Sequence, residues 1–345
     1  MRKLTLFLVV ALLCSSCKKD KSIVPGSYSF DGWIITERAM PYTNEIADLI
    51  FINEDLGFLV NWDGEIIKIT ANGERWIKLA SFPDYNLRSV FFVDENIGFV
   101  AGQEDFENPK LENREKHILL KTINGGENWV KIFVPHELYS IQFMNQMLGY
   151  AAVRDYNHDP RRYAAKTTDG GLTWKEIHKI RSYDSRYINF TSKNIGYIID
   201  EGELYKTSDG GDNWKMVLSS GTDYHLCDLK FLNDDDGYAK TSVHIYRTDD
   251  GGENWMKSET PFLCPSRSYF SDFNNGFVIE PIGIMSGPFN YEFMGSVVHY
   301  TSDGGITWNQ SDVLSELYLR KFAFASASVG FGSGYNNKWY RFELK

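Results

Sequence analysis

Hydrophobic and polar residues alternate along most of the chain in short runs, as in SVFFVD (89–94), HILLKT (117–122) and DLKFLN (228–233). A period of two sends successive side chains to opposite faces of a sheet, and the Asn-, Asp- and Gly-rich breaks between runs read as turns. Four such runs recur in each unit, which leaves no room for helices and describes the blade of a propeller.

Two signatures mark the units. The first is a phenylalanine, five residues and then Gly-Phe or Gly-Tyr: Phe51/Gly57, Phe92/Gly98, Phe143/Gly149, Phe190/Gly196, Phe231/Gly237, Phe270/Gly276 and Phe324/Gly330. The second ends the third strand: TINGGENW (122–129), TTDGGLTW (167–174), TSDGGDNW (207–214), TDDGGENW (248–255) and TSDGGITW (301–308), with a shortened TANGERW (70–76). In a hairpin the acid or amide at Asn124, Asp169, Asp209, Asp250 and Asp303 can accept backbone N–H bonds while the glycines take up positive φ. These residues are read as structural, with the Trp packing on the sheet.

The seventh unit stops at KWYRFELK without an ending of its own, whereas DGWIITE (31–37) near the start has the form of a strand that follows the Trp, with Trp33 in that place. The expected fold is therefore all-β, a seven-bladed propeller over residues 30–345 whose last blade is closed by the N-terminal strand. Closure of this kind removes exposed sheet edges.

Composition changes the picture in two ways. An aromatic content of 15% and 29 glycines fit a turn-rich folded chain with a large core. A formal net charge of −10 argues against a nucleic-acid partner, since phosphate binding draws on clustered Lys and Arg.

The first residues, MRKLTLFLVVALLCSSCKKDK, join a basic tip to an apolar run too short to span a membrane, followed by small residues and a cysteine. Ser15-Ser16-Cys17 resembles the cleavage box of bacterial lipoproteins. That resemblance implies a signal peptide over 1–16, lipidation of Cys17, a tether over 17–29, and an outer-membrane or cell-surface address. Only Cys227 and Cys264 remain beyond it, at similar heights on adjacent blades, so one disulfide is conceivable and a cysteine framework is not.

The boxes resemble the Asp-box, or BNR, repeats of sialidases, sortilins and some glycoside hydrolases. Together with the Phe and Gly-aromatic positions they look most like the photosystem II stability/assembly-factor family of seven-bladed propellers. The resemblance implies an assembly or binding scaffold.

Strand direction sorts the loops. The boxes emerge on one face, and the long insertions 102–116, 154–162 and 280–296 on the other. At the start of the innermost strands on that second face stand Arg88, Tyr139, Arg186 and Arg320, with Tyr187, Arg267 and Lys321 beside them. Arg offers paired donors and Tyr a flat amphipathic face, a combination suited to a carboxylate, a sugar or an acidic peptide. The alternative is that they pair with neighbouring acids.

No phosphate loop, zinc-protease helix or nucleophile elbow is present, and the seven histidines form no ligand-spaced pair. The expectation is a monomeric, non-catalytic envelope lipoprotein without metal or cofactor that binds a protein or glycan. A carbohydrate-active hydrolase, which would need a facing carboxylate pair, is the competing reading.

Overall fold

The computed structural model describes residues 27–42, 45–105, 116–155, 161–181, 188–221, 225–261, 267–287, 290–315, 317–334 and 337–345; the side chains of 161, 267 and 284–293 are outside that description. All regular structure among these residues is strand, in seven sheets. Blades 1 to 6 (46–81, 85–133, 137–180, 188–219, 228–259 and 267–310) are each four antiparallel strands in chain order from the axis outward. Blade 7 joins three C-terminal strands (319–344) to Trp33–Ala39, which pairs with Lys338–Leu344 from Trp33↔Leu344 to Ala39↔Lys338. A fifth strand, Ser27–Phe30, lies outside it, so this sheet begins within the segment read as a tether.

The spacing of the first signature has a steric cause. In every blade the Phe stands at or near the end of the innermost strand and faces its Gly across the pair, as in Phe51↔Gly57 and Phe143↔Gly149. The ring lies flat on the glycine, and a methyl group on Gly149 would sit 2.5 Å from it. The aromatic after the glycine then stacks on the Phe of the next blade: Phe58 on Phe92 at 3.5 Å, Phe99 on Phe143 at 3.5 Å, Tyr150 on Phe190 at 3.4 Å and Tyr197 on Phe231 at 3.5 Å. Ring closure uses the same contact, Phe331 on Phe51 at 4.3 Å. One motif thus makes both the blade and the seam, through large apolar areas and ring geometry.

The second signature builds the other contact. Asp169 Oδ1 accepts from Thr167 Oγ1 (2.8 Å) and from the Thr173 N–H (2.9 Å), while Gly171 N–H donates to Thr167 Oγ1 (2.9 Å). Gly170 and Gly171 have φ of 74° and 93°, which a side chain would strain. Trp174 donates Nε1–H to Gly171 O and meets Phe143 edge-on at 6.0 Å. Trp33 meets Phe324 in the same way, at 5.6 Å and 89°, so the N-terminal strand supplies blade 7 with the Trp that its own end lacks.

Candidate functional site

On the face opposite the DGG turns, the innermost strands of blades 1, 2, 3 and 7 open with a shared irregularity. Register shifts fall between Ile46 and Asp48, Leu87 and Ser89, Leu138 and Ser140, and Leu319 and Lys321. Ala47, Arg88, Tyr139 and Arg320 are therefore the extra residues of β-bulges, and a bulge re-aims the side chain it carries. Three of the residues marked by the sequence spacing, Arg88, Tyr139 and Arg320, thus stand where the strand departs from regular pairing.

Around blades 1 to 3 these side chains form a ladder of alternating planes. The Arg88 guanidinium lies 5.1 Å from the Trp62 ring centroid and 4.9 Å from that of Tyr139. On the same tyrosine, Arg154 lies at 4.0 Å. Cation–π contacts of this kind gain strength where water is partly excluded, and all four residues are half-buried.

Arg88 is fixed from below: its Nε lies 2.9 Å from Oε1 of the buried Glu137. The Gln103 amide, oriented to suit both neighbours, donates to Glu137 Oε1 and accepts from Arg88 Nη2. Arg154, opposite Glu137 in the strand pair, has no acidic partner among the described residues.

Histidines flank the ladder. His136 Nδ1 is 3.3 Å from Asp155. Burial, and then the neighbouring His136 and Lys116, push the pKa of His117 down to about 4, so this imidazole is neutral at physiological pH.

The remaining candidates are dispersed. Arg320 is ion-paired with Glu45. Lys321 faces the channel beside Asp48, whose carboxyl is raised by burial, an effect opposed by Lys321 and by the bond it accepts from Val90 N–H. Arg267 begins an innermost strand, but its side chain lies outside those described. Arg186, Tyr187, Cys17 and Cys264 lie outside the described residues. Cys227 is disulfide-bonded.

Trp62 and Arg154 carry little signal in the sequence: they stand at the far ends of second strands, away from the strand starts that the Gly-aromatic spacing marks, and the one signal for Arg154 is its place at the head of the insertion RDYNHDPRR. Among the described residues no group of three or more His, Cys, Asp or Glu is placed to hold a metal ion.

Carboxylates at this rim are engaged: Glu137 by Arg88, Glu45 by Arg320, Glu104 by Lys116 at 3.8 Å and Asp155 by His136. The arrangement can hold an anion edge-on against guanidinium and a flat side chain face-on against Trp or Tyr. Among the described residues these four carboxylates are therefore not a free pair of the kind that acid–base work on a glycoside needs.

No family profile matches the sequence. The chain is 24% identical over 220 residues to the photosystem II assembly lipoprotein Ycf48 of Synechococcus sp. (strain CC9902), a match covering 62% of this chain and 60% of that protein. It is 23% identical over 245 residues to the xyloglucanase Xgh74A of Acetivibrio thermocellus, covering 58% of this chain but 27% of the enzyme. The chain thus spans about three-fifths and about a quarter of the two relatives' lengths. Among solved structures, YCF48 bound to a D1 peptide superposes with a TM-score of 0.65 at 19% identity, over 92% of this chain and 99% of the other. The propeller fold is common to both, and the sequence resembles the photosystem II assembly factors, as the joint Phe, Gly-aromatic and DGG pattern implies.

Proposed function

We propose that this chain is a non-catalytic binding and assembly module of the cell envelope, exported and anchored through a lipid on Cys17, which holds an acidic or carboxylate-bearing segment of a protein partner on its insertion-bearing face. The observation that carries this reading is the ladder Trp62–Arg88–Tyr139–Arg154, in which Arg154 is stacked at 4.0 Å and has no acidic partner among the described residues. A planar cation held in place loses little freedom when a carboxylate docks, and its two parallel donors match that group. A protein partner, as against a glycan, is supported by the relative whose structure holds a peptide.

Export and anchoring rest on the N-terminal pattern alone and are tested separately, by labelling intact cells with a radioactive fatty acid. Wild type takes up label and Cys17→Ser does not; equal labelling removes the anchor from the proposal.

For the binding face, crosslinking in intact envelopes followed by capture compares wild type with Arg154→Ala and Tyr139→Ala. Loss of about tenfold or more of the captured partner in both variants is expected, as for a charge-assisted contact. The same captured partners in both variants would remove the ladder from the proposal. Release of reducing ends from xyloglucan by the purified chain would instead favour the hydrolase reading.

A further inference from the structure

The propeller axis holds a second site, on the side of the DGG turns and independent of the ladder. At three successive seams a side chain of one innermost strand accepts an N–H from the next. Ser89 Oγ accepts from Ile141 N–H (3.3 Å), Gln142 Oε1 from Phe190 N–H (2.8 Å) and Asn189 Oδ1 from Phe231 N–H (2.8 Å). In blade 5 the position equivalent to Gln142's place before the Phe, and to Asn189, is Lys230, an ammonium with no lone pair to offer, and the equivalent N–H is that of Phe270. Two donors are thus placed where blades 3 and 4 pair donor with acceptor.

Lys230 borders a cavity of about 660 Å³ shared by blades 1, 5, 6 and 7, walled by Ile50, Tyr269, Ala323 and Phe324 and reaching the turn residue Ala327 on the DGG face. The size is that of a small-molecule site. Apolar side chains alternate on the walls with polar groups that are already spoken for: Asp228 accepts from Ser268 Oγ and from the Leu229 N–H, and Tyr269 donates its hydroxyl to Ser326 O (3.1 Å). No ion pair or hydrogen bond engages the Lys230 ammonium among the described residues, although it is open to channel water. Enclosure by the channel walls lowers its pKa, with the Asp228 charge opposing.

We propose that this cavity is a binding site for a small organic monoanion with an apolar body, an alkyl or aryl carboxylate, whose charged end is held by Lys230 and the Phe270 N–H and whose body lies against Ile50, Ala323 and Phe324. One cation sets the single charge, and the apolar walls exclude a bare inorganic anion as the best fit.

Titration calorimetry of the full chain with octanoate and with 1-octanol tests this. Wild type should bind octanoate saturably, one per chain, and at least about tenfold more tightly than octanol, the scale of a charge-assisted hydrogen bond. Lys230→Met should bring the two ligands within about twofold of each other, and Lys230→Arg should keep the preference. Ala323→Phe, which fills the cavity and leaves Lys230 in place, should abolish binding of both. No saturable octanoate binding, an unchanged preference in Lys230→Met, or octanoate binding that survives Ala323→Phe would each overturn the proposal.

Discussion

The two faces of the ring are made by different rules. On the DGG face five turns repeat a single hydrogen-bond scheme, in which a Gly N–H donates to the Thr hydroxyl and a following backbone N–H donates to the acid or amide, so that Asn124, Asp169, Asp209, Asp250 and Asp303 are interchangeable parts. On the insertion face four strand starts share a backbone bulge, but the side chains it projects differ: Ala47, Arg88, Tyr139, Arg320. Repetition marks the part that holds the ring together, and variation on a common backbone marks the part free to acquire a partner.

The largest effect that separates the faces is mutational. Phe143 is 2% exposed, stacked on Phe99 at 3.5 Å and capped edge-on by Trp174. Phe143→Ala should cost roughly 3–5 kcal/mol of unfolding free energy, read as a shift in the urea midpoint. Arg154→Ala, at the opposite end of the same blade, should cost less than about 1 kcal/mol. Comparable losses from both would mean that the ladder is a structural clamp and the division of labour between faces is false.

Acid separates them next. His117 on the insertion face has its pKa lowered to about 4 from an ordinary 6.5, mainly by burial. The unfolded chain takes up a proton that the native site refuses, so this contribution is complete above pH 6.5 and falls away as pH drops toward 4. Asp169, Asp209, Asp250 and Asp303 are held at about 2 by the hydrogen bonds they accept, from Thr173, Asn213, Asn254 and Thr307 respectively. Their contribution is complete above 3.8 and is lost as pH falls through 2. Melting temperature followed from pH 7 to pH 2 should therefore decline in two windows, with His117→Gln flattening only the first. A single decline centred on pH 4, unaffected by that substitution, would contradict the assignment.

Much of this division was legible in the sequence. The number of blades, the pairing of Trp33–Ala39 with the last C-terminal strand and the face on which insertions gather all follow from the spacing of Phe, Gly and Trp, because those residues act through contacts local to one hairpin or one seam. The ladder was half legible. Arg88 and Tyr139 stand at a fixed distance from their Gly-aromatic pairs, but Trp62 and Arg154 stand at the far ends of second strands in blades 1 and 3, and the stacking depends on three blades meeting at one corner. Whether Arg88 faces solvent or Glu137 depends on a rotamer and a cross-seam neighbour, neither of which leaves a trace in one-dimensional spacing. Lys230 was hidden for another reason: a lysine in DLKFLN reads as the solvated side of an alternating strand, and only the closed ring turns that side into a channel wall.

The smallest expected effect tests whether the turns depend on charge at all. Asn124 makes the same bonds as its acidic counterparts, accepting from Thr122 Oγ1 at 3.0 Å and from Asn128 N–H at 3.0 Å, without a charge. The geometry of the acceptor is thus sufficient in blade 2, where its Gly126 also packs toward Leu79 of the preceding blade. Asp169 adds one contact, Thr173 Oγ1 to Oδ2 at 2.6 Å, which an amide can replace by donating to the same hydroxyl. Asp169→Asn should accordingly leave the melting temperature at pH 7 within about 2 °C of wild type and remove that turn's share of the loss below pH 4. A drop at pH 7 as large as that from a buried core substitution would show that the carboxylate charge holds the turn in place, and the five turns could no longer be treated as copies of one device.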